Sequence, residues 1–224
     1  MSMLFQDTQL VVYNKPIGEP SQPDRKGEAS ALRNAESAAG SSLYTVHRID
    51  QSASGLLVFA RSSQTAALLS ELLRAHDIQR RYLAIVSGTV EPTEGRLEHR
   101  LTRDGRTNKS RPSSSGKPAE LTYQTLARGD RYTLLDVQLW TGRHHQIRAQ
   151  LSACGWPIRG DVKYGARRTV PGGGICLHGY SLSIPRPDGS RLVATAPPPE
   201  RDIWFELTPD EYLTDAQVTQ MDCQ

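Results

Sequence analysis

An aspartate stands where chemistry could require it, directly before a turn sequence and an apolar run. In the segment VHRIDQSASGLLVFAR, residues 46–61, Asp50 follows Arg48 by two positions and precedes the run Leu56 to Phe59. A carboxylate beside a core strand is costly unless it is needed there. As a turn residue, Asp50 would hydrogen-bond the backbone of residues 51–54. As a functional residue, it would act as a nucleophile or stabilise a developing positive charge.

Several familiar catalytic motifs do not fit this sequence. HRID resembles the start of a kinase catalytic loop, but the expected downstream asparagine and a preceding glycine-rich loop are both missing. SASG is not the GxSxG nucleophile elbow, and the glycines at 172–174 do not form GxGxxG. His144 and His145 are adjacent, so on a helix they point in different directions and do not easily share one metal. No metal site is expected.

Composition sets further bounds. Cys154, Cys176 and Cys223 are odd in number and form no CxxC pair, which argues against a disulfide framework and a zinc ribbon. The sequence has no membrane-length apolar run and no secretion signal, so a cytoplasmic setting is predicted. Residues 61–168 carry 19 Lys and Arg against 10 Asp and Glu, although the whole chain has a net charge of only +3. Such a local surplus is typical of a solvated basic face or of phosphate recognition.

The elements that must position these residues are mainly short strands. The predicted strands are TQLVVYNK, SGLLVFAR, RRYLAIVSGTV and ICLHGYSLSI, with hairpins around residues 128–130 and 186–189. The predicted helices are ALRNAESAAG, SSQTAALLSELLRAHDIQ and HHQIRAQLSACG. This irregular mixture predicts an α+β fold with a central mixed, mostly antiparallel sheet and flanking helices and loops.

Two regions are predicted to lack regular structure. Residues 103–117, RDGRTNKSRPSSSGK, read as a flexible basic loop, and the acidic tail after Glu211 reads as frayed. With no composition break along the chain, residues 1–224 are predicted to form one catalytic domain. Its core is predicted to span about 10–208, with residues 209–224 as a C-terminal tail and no separate N-terminal domain before residue 10.

Three segments together carry a resemblance: HRIDQSASGLLVFAR, RRYLAIVSG and TGRHHQIRAQLSACGWPIRGDVKYG. With VVYNKPIG before them and ICLHGYSLSI after them, they resemble the RluA-type pseudouridine synthase family from about Leu10 to Trp204. This resemblance implies the pseudouridine synthase catalytic fold. It also implies isomerisation of uridine in structured RNA, ribosomal or transfer, by breaking the N-glycosidic bond and rejoining the uracil through carbon. No cofactor is implied, since the reaction involves no redox change.

The resemblance also implies catalytic residues. Asp50 corresponds to the family's catalytic carboxylate; whether it attacks the base or the sugar stays open. Arg148, in HQIR, corresponds to the arginine that pairs with this aspartate, and a neighbouring cation would keep the carboxylate ionised. Tyr82, in RRYLA, corresponds to the tyrosine that lies against the target base. Taken alone, Tyr82 would be packing and Arg148 a surface ion pair.

Further residues are expected to bind substrate. The target uridine must leave its stack, and Arg48 is expected to fill the space left behind. Leu177 is expected to line the uracil pocket. The remaining substrate-site candidates are His47, His145 and Gln146 as loop supports, and Lys15, Arg143 and residues 103–117 as phosphate contacts. Tyr164 is interpreted as packing.

Departures from the family pattern and rival functions complete the hypothesis. Ala53 stands where a hydroxyl residue is usual, and His144 replaces a threonine.

RNA is the only partner expected, with no membrane, no obligate protein partner and a monomeric state. The rival functions are a non-catalytic RNA-binding protein that kept the fold, and a nucleoside or glycoside hydrolase that uses Asp50. The hydrolase would need a second carboxylate to activate water, and none is evident.

Overall fold

The computed structural model describes residues 2–24, 29–200 and 202–221. In chain order, the helices and strands are β1 (Met3–Gln6), β2 (Leu10–Lys15), α1 (Ala31–Ala39), β3 (Tyr44–Thr45), β4 (Ser54–Ala60), α2 (Ser63–Arg74), β5 (Gln79–Ser87), β6 (Glu94–Asp104), β7 (Lys109–Pro112), β8 (Lys117–Arg128), β9 (Tyr132–Leu139), α3 (Gln146–Ala153), β10 (Leu177–Pro185), β11 (Arg191–Thr195), α4 (Asp202–Leu207) and β12 (Gln217–Met221). Among these helices, none is long and apolar enough to cross a bilayer. Cys223 lies outside the described residues.

The chain divides into two compact units. The first unit contains Met1–Arg80, Gly179–Pro199 and Thr214–Gln224, and the second contains Arg81–His178 and Glu200–Leu213.

Strands and helices are interspersed in the chain, and the registered strand pairings are antiparallel. The predicted α+β class is therefore confirmed.

The first unit is built on strands β1, β2, β4 and β10, in that order, with β11 beside β10. Apolar residues alternate along these strands and pack into one core with helix α2. Its buried members are Leu10, Val12, Leu56, Val58, Ala60, Leu69, Ile78, Leu182, Ile184, Leu192, Ala194 and Ala196. Because side chains on a strand alternate between two faces, this spacing places one face of the sheet on the core.

Close contact between two backbones explains why two motif positions are glycine. Gly55, in SGLL, has φ +126°, and a Cβ built on it would lie 2.3 Å from the backbone N of Gly179, the glycine of LHG. No side chain fits between two backbones at that distance, and a positive φ also favours glycine. The two motif glycines thus let β4 and β10 approach closely.

The helix ends follow the sequence signals. The hydroxyl of Ser62 accepts a hydrogen bond from the backbone N of Thr65 and caps α2. Gly40, with φ 66°, ends α1 in the left-handed conformation that glycine adopts easily. Ser62 and Gly40 thus lie at the start and the end of the predicted helix segments SSQTAALLSELLRAHDIQ and ALRNAESAAG.

The second unit contains the strand order β5, β9, β8, β6 and β7. The predicted hairpin at residues 128–130 is confirmed, since β8 and β9 pair around it. The prediction that residues 103–117 form a loop was wrong for residues 103–104, 109–112 and 117, which lie in strands. Strand β7 pairs with the end of β6, from Leu101 opposite Pro112 to Asp104 opposite Lys109. Backbone pairing therefore orders this polar sequence although it offers few apolar residues to a core.

The C-terminal expectation was also wrong for residues 217–221. Strand β12 pairs antiparallel with β11, from Arg191 opposite Met221 to Thr195 opposite Gln217. Its sequence, QVTQM, lacks a strong apolar pattern, so the partner strand rather than local preference decides its conformation.

Candidate active site

The Asp50 turn is locked by backbone hydrogen bonds within the first unit. Asp50 is half-buried and its carbonyl accepts from the backbone N of Ala53 at 3.0 Å. The backbone N of Gly18 donates to the carbonyl of Gln51, whose side-chain Nε2 donates back to the carbonyl of Gly18. The NKPIG turn near the start of the chain therefore holds the segment that presents the aspartate.

Lys15 lies beneath this turn, and its predicted role as a phosphate contact is not supported. The side chain is 0% exposed, and its Nζ donates to the carbonyls of Pro16, Glu19 and Ala53 at 2.9, 2.9 and 2.6 Å. An ammonium has three N–H donors, so all are used. Lys15 instead ties the two turns together, and its charge interacts favourably with Asp50.

The pH dependence of folding should reveal this buried lysine. Burial lowers the pKa of Lys15 to about 8, although Glu19 and Asp50 raise it in part. Between pH 8 and the ordinary lysine pKa, the unfolded chain binds a proton that the folded chain has lost, so stability rises with pH. We expect the free energy of unfolding to gain about 2 kcal/mol from pH 8 to 9.5 at 1.36 kcal/mol per pKa unit.

Urea unfolding of the wild type and of Lys15→Met at pH 7 to 9.5 measures this gain. Taking the difference between the two proteins removes the contributions of Cys154, Tyr13 and Tyr123, whose pKa values are raised. Equal slopes of stability against pH in both proteins would show that Lys15 does not titrate in this range.

Arg48 is exposed between two buried neighbours. The ring Nε2 of His47 accepts from the backbone N of Val58 at 3.2 Å, and burial together with the nearby Arg80 lowers the pKa of His47 to about 3. The hydroxyl of Ser21 bonds both the N and the carbonyl of Ile49. His47 and Ile49 are thus fixed inward, so Arg48 between them extends outward. The ring of His47 ties the segment before Asp50 to β4, and its part in substrate binding stays a prediction.

Tyr82 and Leu177 are buried in the second unit. Tyr82 is in the middle of β5, opposite Val137 of β9, and is 6% exposed. Leu177, at the start of β10, is 5% exposed, and the neighbouring carbonyl of Cys176 accepts from the backbone N of Ile85 on β5. Their roles against the base and in the uracil pocket stay predictions.

Arg148 is held by an aspartate that the sequence did not single out. Its Nε and Nη2 donate to the two carboxylate oxygens of Asp161 at 2.7 and 2.8 Å, and both side chains are buried. A planar guanidinium and a carboxylate joined by two parallel bonds form a rigid pair. Arg148 is therefore no surface ion pair; its predicted pairing with Asp50 stays a prediction.

Tyr164 does more than pack. Its ring lies under the guanidinium of Arg148, 4.8 Å from centroid to Cζ, which is a cation–π contact. Its hydroxyl accepts from the backbone N of Ser110 at 2.7 Å and bonds Nδ1 of His145 at 3.0 Å. Asp161 and Tyr164 both contact Arg148 and orient it. Both lie in the GDVKYG motif, which was the sequence signal that could have identified them.

His145 has a strained backbone and an uncharged ring. It has φ 50° at the N-terminus of α3, and its ring stacks on that of His144 at 3.7 Å between centroids. Burial and the nearby Arg148 lower the pKa of His145 to about 2. A non-glycine residue in the left-handed region costs free energy, and such strain is found near functional sites. His145 acts as a support for Tyr164.

Gln146 and Arg143 differ in exposure. The buried Gln146 accepts through Oε1 from Thr141 Oγ1 and from the backbone N of Arg143, and it donates through Nε2 to the carbonyl of Glu120. It therefore fixes the loop before α3, as a support. Arg143 is exposed and its Nε donates to the carbonyl of Pro118, so part of its guanidinium remains available to a ligand.

The predicted residues thus fall into two groups. The first unit holds Lys15, His47, Arg48 and Asp50, and the second holds Tyr82, Arg143, His145, Gln146, Arg148 and Leu177. Within the described ranges, no three or more His, Cys, Asp or Glu side chains are grouped as a metal would require.

Comparison with known proteins identifies the family of this chain. A family model described as RNA pseudouridylate synthase matches residues 9–153. The tRNA pseudouridine synthase C of Pectobacterium carotovorum is 32% identical over 84% of this chain, and the uncharacterised RNA pseudouridine synthase YlyB of Bacillus subtilis is 32% identical over 89%. The ribosomal large subunit pseudouridine synthase D of Xanthomonas campestris is 31% identical over 89%. The chain spans 56%, 70% and 66% of these relatives.

Solved structures share the fold. The human RNA pseudouridylate synthase domain containing 4 superposes with a TM-score of 0.76 at 24% identity, covering 93% of this chain and 94% of that one. The human RNA pseudouridylate synthase domain containing 1 gives the same TM-score at 22% identity, covering 100% and 90%. With the matches in sequence and the motif residues above, the chain belongs to the RNA pseudouridylate synthase family.

Proposed function

We propose that this protein isomerises a uridine in ribosomal or transfer RNA to pseudouridine. The observation that carries the proposal is the half-buried carboxylate of Asp50, held in a turn that Lys15 braces from below. The segment that holds this carboxylate lies within residues 9–153, which match the RNA pseudouridylate synthase family model. The substrate follows from the relatives, whose names specify transfer RNA in one case and the large ribosomal subunit in another.

The reaction leaves the composition of the nucleotide unchanged. The bond between N1 and the anomeric carbon breaks, a bond from C5 to that carbon forms, C5 loses a proton and N1 gains one. Asp50 either attacks the substrate or stabilises the positive charge that develops on the sugar, as carboxylates do in glycosidases. Arg148, oriented by Asp161 and Tyr164, is the cation that we assign as the partner of Asp50. Tyr82 is assigned to the base.

The purified protein tests this proposal directly. Unmodified transfer and ribosomal RNA labelled with tritium at C5 of uridine should release tritium into water, and primer-extension mapping should find pseudouridine at defined positions. Release of free uracil instead would favour the hydrolase hypothesis. Binding without any conversion of either RNA would favour the non-catalytic hypothesis. The monomeric state and the cytoplasmic setting stay predictions.

Arg48 should matter for turnover more than for binding. It is exposed two residues before Asp50, where its planar cation would replace the stacking lost when the uridine leaves. Stacking on a base is worth about 1–3 kcal/mol, so Arg48→Ala should slow single-turnover isomerisation by roughly 10- to 100-fold. The Kd for RNA should change by less than about threefold, since one phosphate contact at most is lost. Arg33→Ala, on the exposed face of α1, is the control; equal rates in both variants would remove this role.

A further inference from the structure

A basic groove opens in the second unit beside the residues that hold Arg148. It measures about 520 Å³ and is lined by Asp104, Arg106, Lys109 and Arg111 on one side and by Ala149 and Tyr164 on the other. One wall is the β6–β7 hairpin and the other is α3 with the turn that follows it. Every lining residue belongs to the second unit.

The cations of the groove are available to a ligand. Arg106, Lys109 and Arg111 are exposed, Lys163 is half-buried, and none of the four forms an ion pair with any residue that the structure describes. Asp104, the acidic residue of the lining, forms its hydrogen bonds within the hairpin turn. Oδ1 of Asp104 accepts from the backbone N of Arg106 and of Thr107. A hydrogen bond from the Thr107 side chain, together with these backbone bonds, lowers the pKa of Asp104. The groove is therefore positively charged along the hairpin side.

The opposite wall is made of small side chains. Ala149, Ser152 and Ala153 of α3 and the following Gly165 leave room for a chain to lie close to the helix. Tyr164 ends this wall, and the same ring lies under the guanidinium of Arg148. A ligand in the groove would thus lie one side chain away from a predicted catalytic residue.

We propose that this groove binds the sugar–phosphate backbone of the substrate RNA beside the target uridine. Several separate cations in a row suit a polyanion, because each neutralises its own phosphate and releases a counterion. The inference rests on the proposed function for the identity of the polyanion. It replaces the sequence-based idea of a flexible phosphate-binding loop at 103–117 with an ordered hairpin that presents its cations from one edge.

Salt dependence of RNA binding tests the groove. The variant Arg106→Gln/Lys109→Gln/Arg111→Gln removes three charges, and the matched control Arg33→Gln/Arg74→Gln/Arg131→Gln removes three exposed charges elsewhere. If three phosphate contacts are lost, the slope of log K against log salt should shrink by about 2 to 3 for the groove variant. Its Kd at 100 mM salt should rise roughly 100-fold, with little change in the control. Equal effects, or none, in the two variants would overturn the proposal.

Acetylation of lysines provides a second measurement on the unaltered protein. RNA should protect Lys109 and Lys163 from an amine-reactive acetylating reagent, while the exposed Lys117 should be protected less. Lack of protection at Lys109 would overturn the groove even if the triple variant folded poorly. If an acidic peptide protected these lysines to the same extent as RNA, the groove would be reassigned to a protein partner. Conversion of uridine by the wild type is scored separately, so a failed groove and a failed catalytic proposal give different results.

Discussion

Asp50→Asn should reduce pseudouridine formation by at least about 10³-fold, because removal of a reacting carboxylate leaves only binding and orientation. Asparagine has nearly the same shape and can still accept hydrogen bonds, so the turn that Lys15 and Gly18 hold should survive. Tritium release from C5-labelled RNA under single-turnover conditions measures the chemical step, and fluorescence anisotropy measures Kd, which should change less than about threefold.

The control for this prediction is Asp77→Asn, an exposed aspartate just before β5. It makes the same chemical change outside the site and should convert RNA at the wild-type rate. Substantial residual isomerisation in Asp50→Asn would show that the carboxylate of Asp50 is dispensable. Loss of activity together with loss of the cooperative unfolding transition would assign Asp50 to the fold instead.

Local signals in the sequence were sufficient for the helix ends and the main strands. Ser62 and Gly40 act on residues within one helical turn, so their effects can be predicted from spacing alone. The strand β12 could not be predicted in this way, because its partner β11 decides its conformation. The prediction for residues 103–117 was wrong in part for the same reason, because the order of strand β7 depends on its pairing with β6.

In the candidate site, too, local sequence patterns identified some residues, whereas contacts between distant residues decided the roles of others. The motif around Asp50 identified the carboxylate, but the burial of Lys15 depends on carbonyls at positions 16, 19 and 53, which no local rule connects. Asp161 follows Arg148 by thirteen residues and pairs with it only because the chain turns back after α3. A lysine near a motif was therefore mistaken for a surface contact, and the partner that orients Arg148 was missed.

Asp161→Asn should lower the free energy of unfolding by about 3–5 kcal/mol, because it takes away the carboxylate that compensates a buried guanidinium. Urea unfolding at neutral pH measures this loss. Asp136→Asn is the matched control: Asp136 is also buried and pairs with Arg81, but the Arg81 side chain is 44% exposed. Water can solvate that arginine when its partner is removed, so the control should lose less stability.

The double variant Arg148→Met/Asp161→Leu separates folding from chemistry. Replacing a buried ion pair by apolar side chains of similar volume is often neutral, so most of the lost stability should return. Methionine can still pack on the ring of Tyr164, as the guanidinium does. Pseudouridine formation should nevertheless be absent, because no cation remains at position 148. A double variant that regained activity along with stability would show that Arg148 serves only the fold.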